Sequence, residues 1–229
     1  MNPAIIIVLA IIVIGTIIFL AYYFGRKQVI IRTLSKIQSK PASGLRTNEL
    51  SKVSGKALHV KEPLLAPYSQ RKCVFYQIKI EQKVNSGKSS HWKTLVEEEK
   101  SQEFFVETNS DFVIVKPTDV PLNYITYLVK DKKQSSGTFN DPTPKFEALL
   151  RRYNIESQTF FGFNKQLRYR EGIIEIGEQI TVAGIAKWRS LSEPLPDYPY
   201  SKIAELTDDV NTKLIITDLP EVLPQNRRR

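Results

Sequence analysis

The chain changes its hydrophobic rhythm once, near residue 25. Before that point, residues 4–24 read AIIIVLAIIVIGTIIFLAYYF, with no charge and with only Thr16, Tyr22 and Tyr23 carrying any polarity. An apolar run with no polar face predicts a helix in an apolar medium rather than an amphipathic helix packed on a domain. As a helix it reaches about 31 Å, the thickness of a bilayer core. A spanning helix satisfies its own backbone, so the isoleucines do not argue for a strand. Tyr22 and Tyr23 stand at the exit end, where amphipathic rings favour the interface. No charged side chain precedes the run and no A-x-A-like site follows it, which argues against a cleaved signal peptide.

After residue 25 the pattern turns polar and then alternates. Residues 26–48 are basic and carry Pro41, Ser43 and Gly44; they read as a juxtamembrane connector with a helical continuation through Ile37. Val53, Leu58 and Val60 frame a first strand, and Glu62–Pro67 breaks it with two prolines. Residues 72–84, KCVFYQIKIEQKV, alternate most clearly. Val74, Tyr76, Ile78 and Ile80 are assigned to one face, and Gln77, Lys79 and Glu81 to the other. Asn85–Lys88 reads as a hairpin turn and His91–Val96 as the return strand, with Trp92 and Leu95 as packing residues. Phe104–Val106 and Phe112–Val115 form a further pair around Asn109, Ser110 and Asp111.

One amphipathic helix is predicted after Pro142. Thr143 suits the N-cap and Pro144 the first helical position. Phe146, Leu149, Leu150 and Tyr153 follow at helical spacing, with a stop near Asn154. Strands resume over Leu167–Ile174 and Gln179–Lys187, separated by a turn at Gly177, with Gly184 marking a bulge or a close approach. Glu193–Pro199 reads as a loop and Lys213–Thr217 as a last strand. The expected fold is mainly β and antiparallel, open or barrel-like, with one or two short helices and one N-terminal transmembrane helix. The expected division is an anchor over 1–25, a connector over 26–48, a β-rich domain over 49–190 and an extension with a basic tail over 191–229.

Charge sharpens the picture. All charged side chains follow the apolar run, so the net +9 belongs to the domain and its flank. Arg26, Lys27, Arg32 and Lys36 lie just after the predicted anchor. By the positive-inside rule they place the domain in the cytoplasm and offer an electrostatic contact to the bilayer. Elsewhere the charges are interspersed, apart from Arg227–Arg229, which fits a well-solvated surface. Cys73 is the one cysteine, so no internal disulfide is available. With two histidines, His59 and His91, it is too few for a four-ligand Cys/His zinc site.

Several motifs invite chemistry and none develops it. Gly87-Lys88-Ser89 echoes the end of a phosphate-binding loop, but position 82 is Gln where the pattern needs Gly, and the surroundings read as strands. Glu97-Glu98-Glu99 reads as a solvated acidic edge, because neighbours on a strand point to opposite faces. His91 has no nucleophile elbow or triad order around it. Phe160–Arg170, FFGFNKQLRYR, interleaves rings and cations. It reads as strand alternation with rings inward rather than a single-strand nucleic-acid platform. Trp92 and Trp188 read as packing residues. Cys73, in an apolar strand, reads as a small hydrophobe.

The order of these features resembles the GIDE, or "beside a membrane", domain over roughly residues 50–190. The motif positions are Gly55 at the head of a strand, Pro63 and Pro67 in EPLLAP, Tyr76, Trp92, Tyr169 and Glu171 in LRYRE, and Gly177 and Gly184 in GEQITVAG. The resemblance implies a membrane-proximal domain related to mitochondrial ubiquitin ligases. In those ligases activity is owed to a C-terminal RING zinc module, which this sequence is expected to lack, and many relatives carry a second membrane helix after the domain. It brings no catalytic residues. The expectation is therefore a non-enzymatic, membrane-anchored module that binds a protein partner or the bilayer surface, with no catalytic, cofactor or metal residues assigned. The alternatives are ligase-type activity by family resemblance and a tethered, OB-like nucleic-acid binder. Nucleic acid is the less favoured partner.

Overall fold

A computed structural model of the chain describes residues 3–108, 111–118, 123–191, 198 and 200–224. The expected turn residues Asn109 and Ser110, the 193–199 loop apart from Tyr198, and the tail Arg227–Arg229 lie outside the described residues. The apolar run forms α1, Pro3–Tyr23, long and apolar enough to cross a membrane and exposed along its length. Gly25, with extended backbone (φ −58°, ψ 139°), separates it from α2, Arg26–Lys36.

Two sheets follow. The first takes β1 (Glu49–His59), β5 (Phe104–Thr108), β6 (Asp111–Val115), β7 (Tyr124–Tyr127), β10 (Gln179–Ser190), β11 (Lys202–Thr207) and β12 (Leu214–Thr217). Its order is β1-β5-β6-β11-β10-β12-β7, and β1 also pairs with β10. Five strands therefore close into a ring, which removes their edges, while β12 and β7 extend from β10. The β6–β11 and β7–β12 pairs are parallel, because strands far apart in sequence are not bound by hairpin geometry. Val53, Ala57, Phe104, Val106, Val182 and Leu206 fill the ring with Phe75 and Ile174 from the second sheet.

The second sheet runs β2 (Leu64–Leu65), β3 (Lys72–Ser86), β9 (Leu167–Glu175) and β8 (Lys132–Ser136), with β4 (Ser89–Ser101) also on β3. The helix α3, Pro144–Arg152, lies on one face of it. The Thr143 hydroxyl accepts from the Phe146 N–H at 3.2 Å, the expected cap, and Asn154 ends the turn at φ 56°. Phe146, Leu149 and Leu150 pack on Tyr76, Ile78, Ile80, Tyr169 and Ile173 in a second core.

Three expectations change. Val74 does not share a face with Tyr76, Ile78 and Ile80: a bulge between Cys73 and Phe75 turns it into the ring core. Strands β7, β8 and β11 are additions to the expected set, although Tyr124–Tyr127 of β7 are all strand-favouring residues. The basic stretch after the anchor is helical through Lys36, as expected, but that helix is docked on the sheet. Ile30 and Leu34 of α2 bury against Ala183, Ile215 and Leu219, and Lys27 reaches Glu221 at 2.5 Å. The Lys52 ammonium also donates to the Leu34 carbonyl at 2.7 Å.

Gly55 and Gly184 stand where strands change neighbours. β1 pairs with β10 through Lys56 and with β5 from Lys56 onward, the stagger of a sheared barrel. β10 pairs with β12 up to Ala183 and with β11 from Ile185. A Cβ at Gly55 would sit 2.0 Å from the Glu107 carbonyl oxygen, and one at Gly184 2.7 Å from that of Thr207. Gly55→Ala is expected to lower stability by about 3 kcal/mol, the upper end of ordinary overpacking costs. Gly137→Ala, whose Cβ would meet only the Gln166 Cγ at 3.7 Å, is the neutral control. Thermal unfolding of the full chain in detergent checks both, and equal midpoints would refute the close approach.

Candidate functional site

Strand β9 organises the second sheet because its two faces meet different chemistry. Leu167, Tyr169 and Ile173 point into the α3 core. Glu171 is fully buried on that side, and its carboxylate accepts from the Tyr68 N–H at 2.9 Å, the Ser69 N–H at 3.2 Å and the Tyr169 hydroxyl at 2.8 Å. These bonds hold the Pro67–Gln70 turn against β9 and satisfy a charge that burial would otherwise penalise. Burial, and then the Glu171 charge, push the Tyr169 phenol far above its ordinary value. A second carboxylate, Glu98 of β4, accepts from the Tyr76 hydroxyl and from Tyr153 at 2.8 Å, tying β4 to the end of α3.

The opposite face is basic. Glu81 receives the Arg168 Nε at 2.6 Å and a second Arg168 nitrogen at 3.0 Å, together with Arg170. Those hydrogen bonds from Arg168, ahead of Arg170, hold the Glu81 carboxyl below its usual range against the opposing effect of burial. The Arg168 guanidinium lies 3.9 Å from the centre of the Trp92 ring, so one side chain is shared between a carboxylate and an aromatic face. Lys130 and Lys133 stand beside this group, and neither has an ion-pair partner among the described residues. A cavity of about 560 Å³ opens between them and Arg168 and Arg170.

The other end of β9 is acidic. Arg71 bridges Asp131 at 3.0 Å and Glu175 at 2.9 Å. Burial pushes Glu178 up to about 7 although the Glu175 N–H donates to it, and burial pushes Asp218 up to about 6 although the Val129 N–H donates to it. Among the described residues no group of three or more His, Cys, Asp and Glu is placed to hold a metal ion.

A sequence model of the GIDE family, described as E3 ubiquitin ligase, matches residues 76–190, half of the chain. The chain belongs to the GIDE family. No curated protein and no solved structure matches it. The GIDE match opens at Tyr76 in β3 and closes at the end of β10, so it spans both faces of β9. Strand β11, which completes the ring, and β12, which extends from β10, lie after it, and β1, with Gly55, before it.

The structure brings some of the positions that carried the resemblance together and leaves others apart. Tyr169 meets Glu171 at the buried carboxylate, Pro67 is buried one residue before Tyr68, whose N–H donates to that carboxylate, and Tyr76 serves the neighbouring Glu98. Gly177 takes φ 88° in the β9–β10 turn, while Gly55 and Gly184 permit the strand crossings. Pro63 precedes β2 and is half-buried. Trp92 is not a core residue: it is 36% exposed, with Arg168 covering its face. Trp188 is likewise 39% exposed and donates to the Leu45 carbonyl at 3.0 Å.

Other expectations are corrected here. Glu81 lies on the face assigned to it, opposite Arg168 of β9, but it is not exposed: the side chain is buried beneath two arginines. Glu97–Glu99 do not form a freely solvated edge. Glu97 pairs with Lys79 at 3.3 Å, Glu98 holds two phenols, and Glu99 accepts from Thr126 at 2.9 Å. In Phe160–Arg170 only Tyr169 turns its ring inward; Phe160, Phe161 and Phe163 are exposed on a turn before β9. His91 lies exposed on β4 opposite Val84. Burial raises the Cys73 thiol to about 12, which keeps it protonated and unreactive at neutral pH. Of the flanking cations, Lys27 is paired with Glu221, Arg32 stacks 3.7 Å from the Tyr23 ring centre, Lys36 is exposed, and Arg26 faces Thr126, Lys130 and Arg170 across a small cavity.

Glu81 and Glu178 should answer acid in opposite ways. The folded state depresses Glu81, so its contribution is complete above the unfolded carboxylate value of about 4.3 and is lost as pH falls through the folded value. Glu81→Gln should cost about 2 kcal/mol at pH 7 and flatten the acid limb of a stability–pH curve. Glu178 is raised, so the folded state binds the extra proton and stability falls as pH climbs to about 7. Glu178→Gln should be the more stable form above that pH, by about 1 kcal/mol or a few degrees, with the gap closing in acid. Melting curves of the full chain across the pH range test both signs.

Proposed function

We propose that this GIDE protein is a membrane-anchored binding module, not itself an enzyme, which engages a protein partner or the bilayer surface from the cytoplasmic side. The observation that carries the reading is the docking of α2. Ile30 and Leu34 are buried in the sheet that bears the ring, and α1 ends three residues before α2 begins. The segment that leaves the apolar helix is thus part of the folded domain. Such a junction suits a domain whose task depends on its position at a membrane. The basic residues after α1 favour the cytoplasmic side.

The family description supports a second reading, a part in ubiquitin transfer. These 229 residues supply no zinc-ligand set of their own for such a step: one cysteine and two histidines are fewer than a four-ligand Cys/His site needs. Nucleic acid is the weaker partner class, because Arg168 and Arg170 are already committed to Glu81.

Crosslinked co-purification from native membranes is expected to capture a protein or lipid partner with the full chain, and to lose it with Ile30→Asp/Leu34→Asp, which undocks α2. Protease added to intact cells is expected to spare residues 49–229 until the membrane is opened. Conjugation of ubiquitin by the purified full chain with a charged conjugating enzyme would replace the binding reading with the enzymatic one.

A further inference from the structure

The basic face of β9 is continuous with the end of the apolar helix. The cavity of about 560 Å³ is lined by Lys130, Lys133, Arg168 and Arg170. A second, of about 200 Å³, is lined by Arg26, Lys79, Lys130 and Arg170. Lys130 and Arg170 belong to both, so the two form one track. Arg26 is the first residue of α2, three positions after the last residue of α1. The track therefore begins where the apolar helix ends.

The larger cavity carries unbalanced positive charge. Its four cations face two carboxylates, Glu81 beneath the arginines and Asp141 on the rim, and Asp141 already accepts from Asn164 at 2.5 Å. Lys130 and Lys133 have no ion pair among the described residues. Partial burial, and then repulsion from Arg170, Lys133 and Arg168, make the Lys130 ammonium easier to deprotonate than usual, with Glu81 opposing. Asn140 and Thr143 add polar groups to the wall, and Thr143 is the N-cap of α3, so the positive end of that nine-residue helix starts at the cavity. Several cations, a helix start and uncharged polar groups around an open space suit a phosphate, which accepts from arginine forks and lysine point charges alike.

We propose that this cavity receives the phosphate of an anionic phospholipid headgroup, with Lys130 and Lys133 as its principal counter-ions and Arg168 and Arg170 positioned by Glu81. The inference rests on the reading that α1 crosses the bilayer. A soluble phosphate shares the chemistry; continuity with the anchor selects the lipid.

The test uses the full chain carrying Trp188→Phe, so that Trp92, beneath Arg168, is the one tryptophan. The chain is placed in nanodiscs of phosphatidylcholine alone or with phosphatidylglycerol, and lipid retained on release is weighed by native mass spectrometry. Phosphatidylglycerol should be retained selectively. Lys130→Ala/Lys133→Ala should weaken retention roughly tenfold or more, since each near-surface lysine contributes substantially to anionic-lipid attraction. Lys88→Ala/Lys100→Ala removes the same charge elsewhere and should leave retention unchanged. Circular dichroism confirms that each variant folds. Equal retention by wild type and Lys130→Ala/Lys133→Ala, or equal losses in both double variants, overturns the site. Inorganic phosphate titrated against Trp92 fluorescence separates the sources: saturable quenching that needs Lys130 and Lys133, without lipid retention, overturns the lipid assignment in favour of a soluble phosphate. Equal lipid retention by wild type and Lys130→Ala/Lys133→Ala, with capture of a protein partner intact, would leave the binding-module reading standing while the lipid site fails.

Discussion

The pairing of β1 with β10 is the constraint on which the rest of the molecule depends. Eight residue pairs, from Glu49 opposite Ala186 to Lys56 opposite Gln179, close the ring. Closure gives Phe75 and Ile174 an interior to enter, which anchors the second sheet to the first. It also fixes β10 as the strand from which β12 and β7 extend and on which α2 comes to rest through Ala183. The stagger of that closure brings backbones closer than side chains allow at Gly55 and Gly184. The ring thus depends on two missing side chains as much as on the apolar ones that fill it.

On this frame β9 separates chemistry. Its inward face commits a carboxylate, Glu171, to holding a turn, and its outward face commits another, Glu81, to holding two arginines. Both are satisfied by several donors, as buried carboxylates must be. They differ in what lies beyond. Behind Glu171 is a packed core with Phe146 and Tyr68, whereas beyond Glu81 the cations outnumber the acids and open on a cavity. Tyr76, Tyr169 and Glu171 serve the first side, whereas Trp92 lies under Arg168 on the second, with the unbalanced charge. The first side holds the domain together, while the basic face is the part left to meet something else.

Legibility in the sequence followed the range of the interaction. The elements set by neighbours in the chain were readable: the apolar run of α1, the Thr143 and Pro144 start of α3, and the Gly87 turn between β3 and β4. Strand β8, KKQSS, has no strand pattern of its own and exists because β9 lies alongside it. Strands β11 and β7 depend on parallel partners about 90 residues away, which no local signal reports. The same limit governs the candidate site. Glu81 was readable as an outward-facing strand residue but not as a buried one, because its partners Arg168 and Arg170 are tertiary facts. Trp92 looked like a core residue because an aromatic covered by an arginine cannot be told from one covered by leucine.

The docking of α2 also sets the domain's freedom of search. A flexible linker of the length between the apolar helix and β1 would let its cargo wander about 25 Å. Here the first half of that length is helix, held by Ile30, Leu34 and the Lys27–Glu221 pair. With α1 in a bilayer, the domain would ride at one height and present one side, sampling its neighbours by lateral diffusion rather than by swinging on a tether. Its encounters would then be confined to whatever reaches the same shallow layer, where even a weak affinity is amplified by crowding into two dimensions.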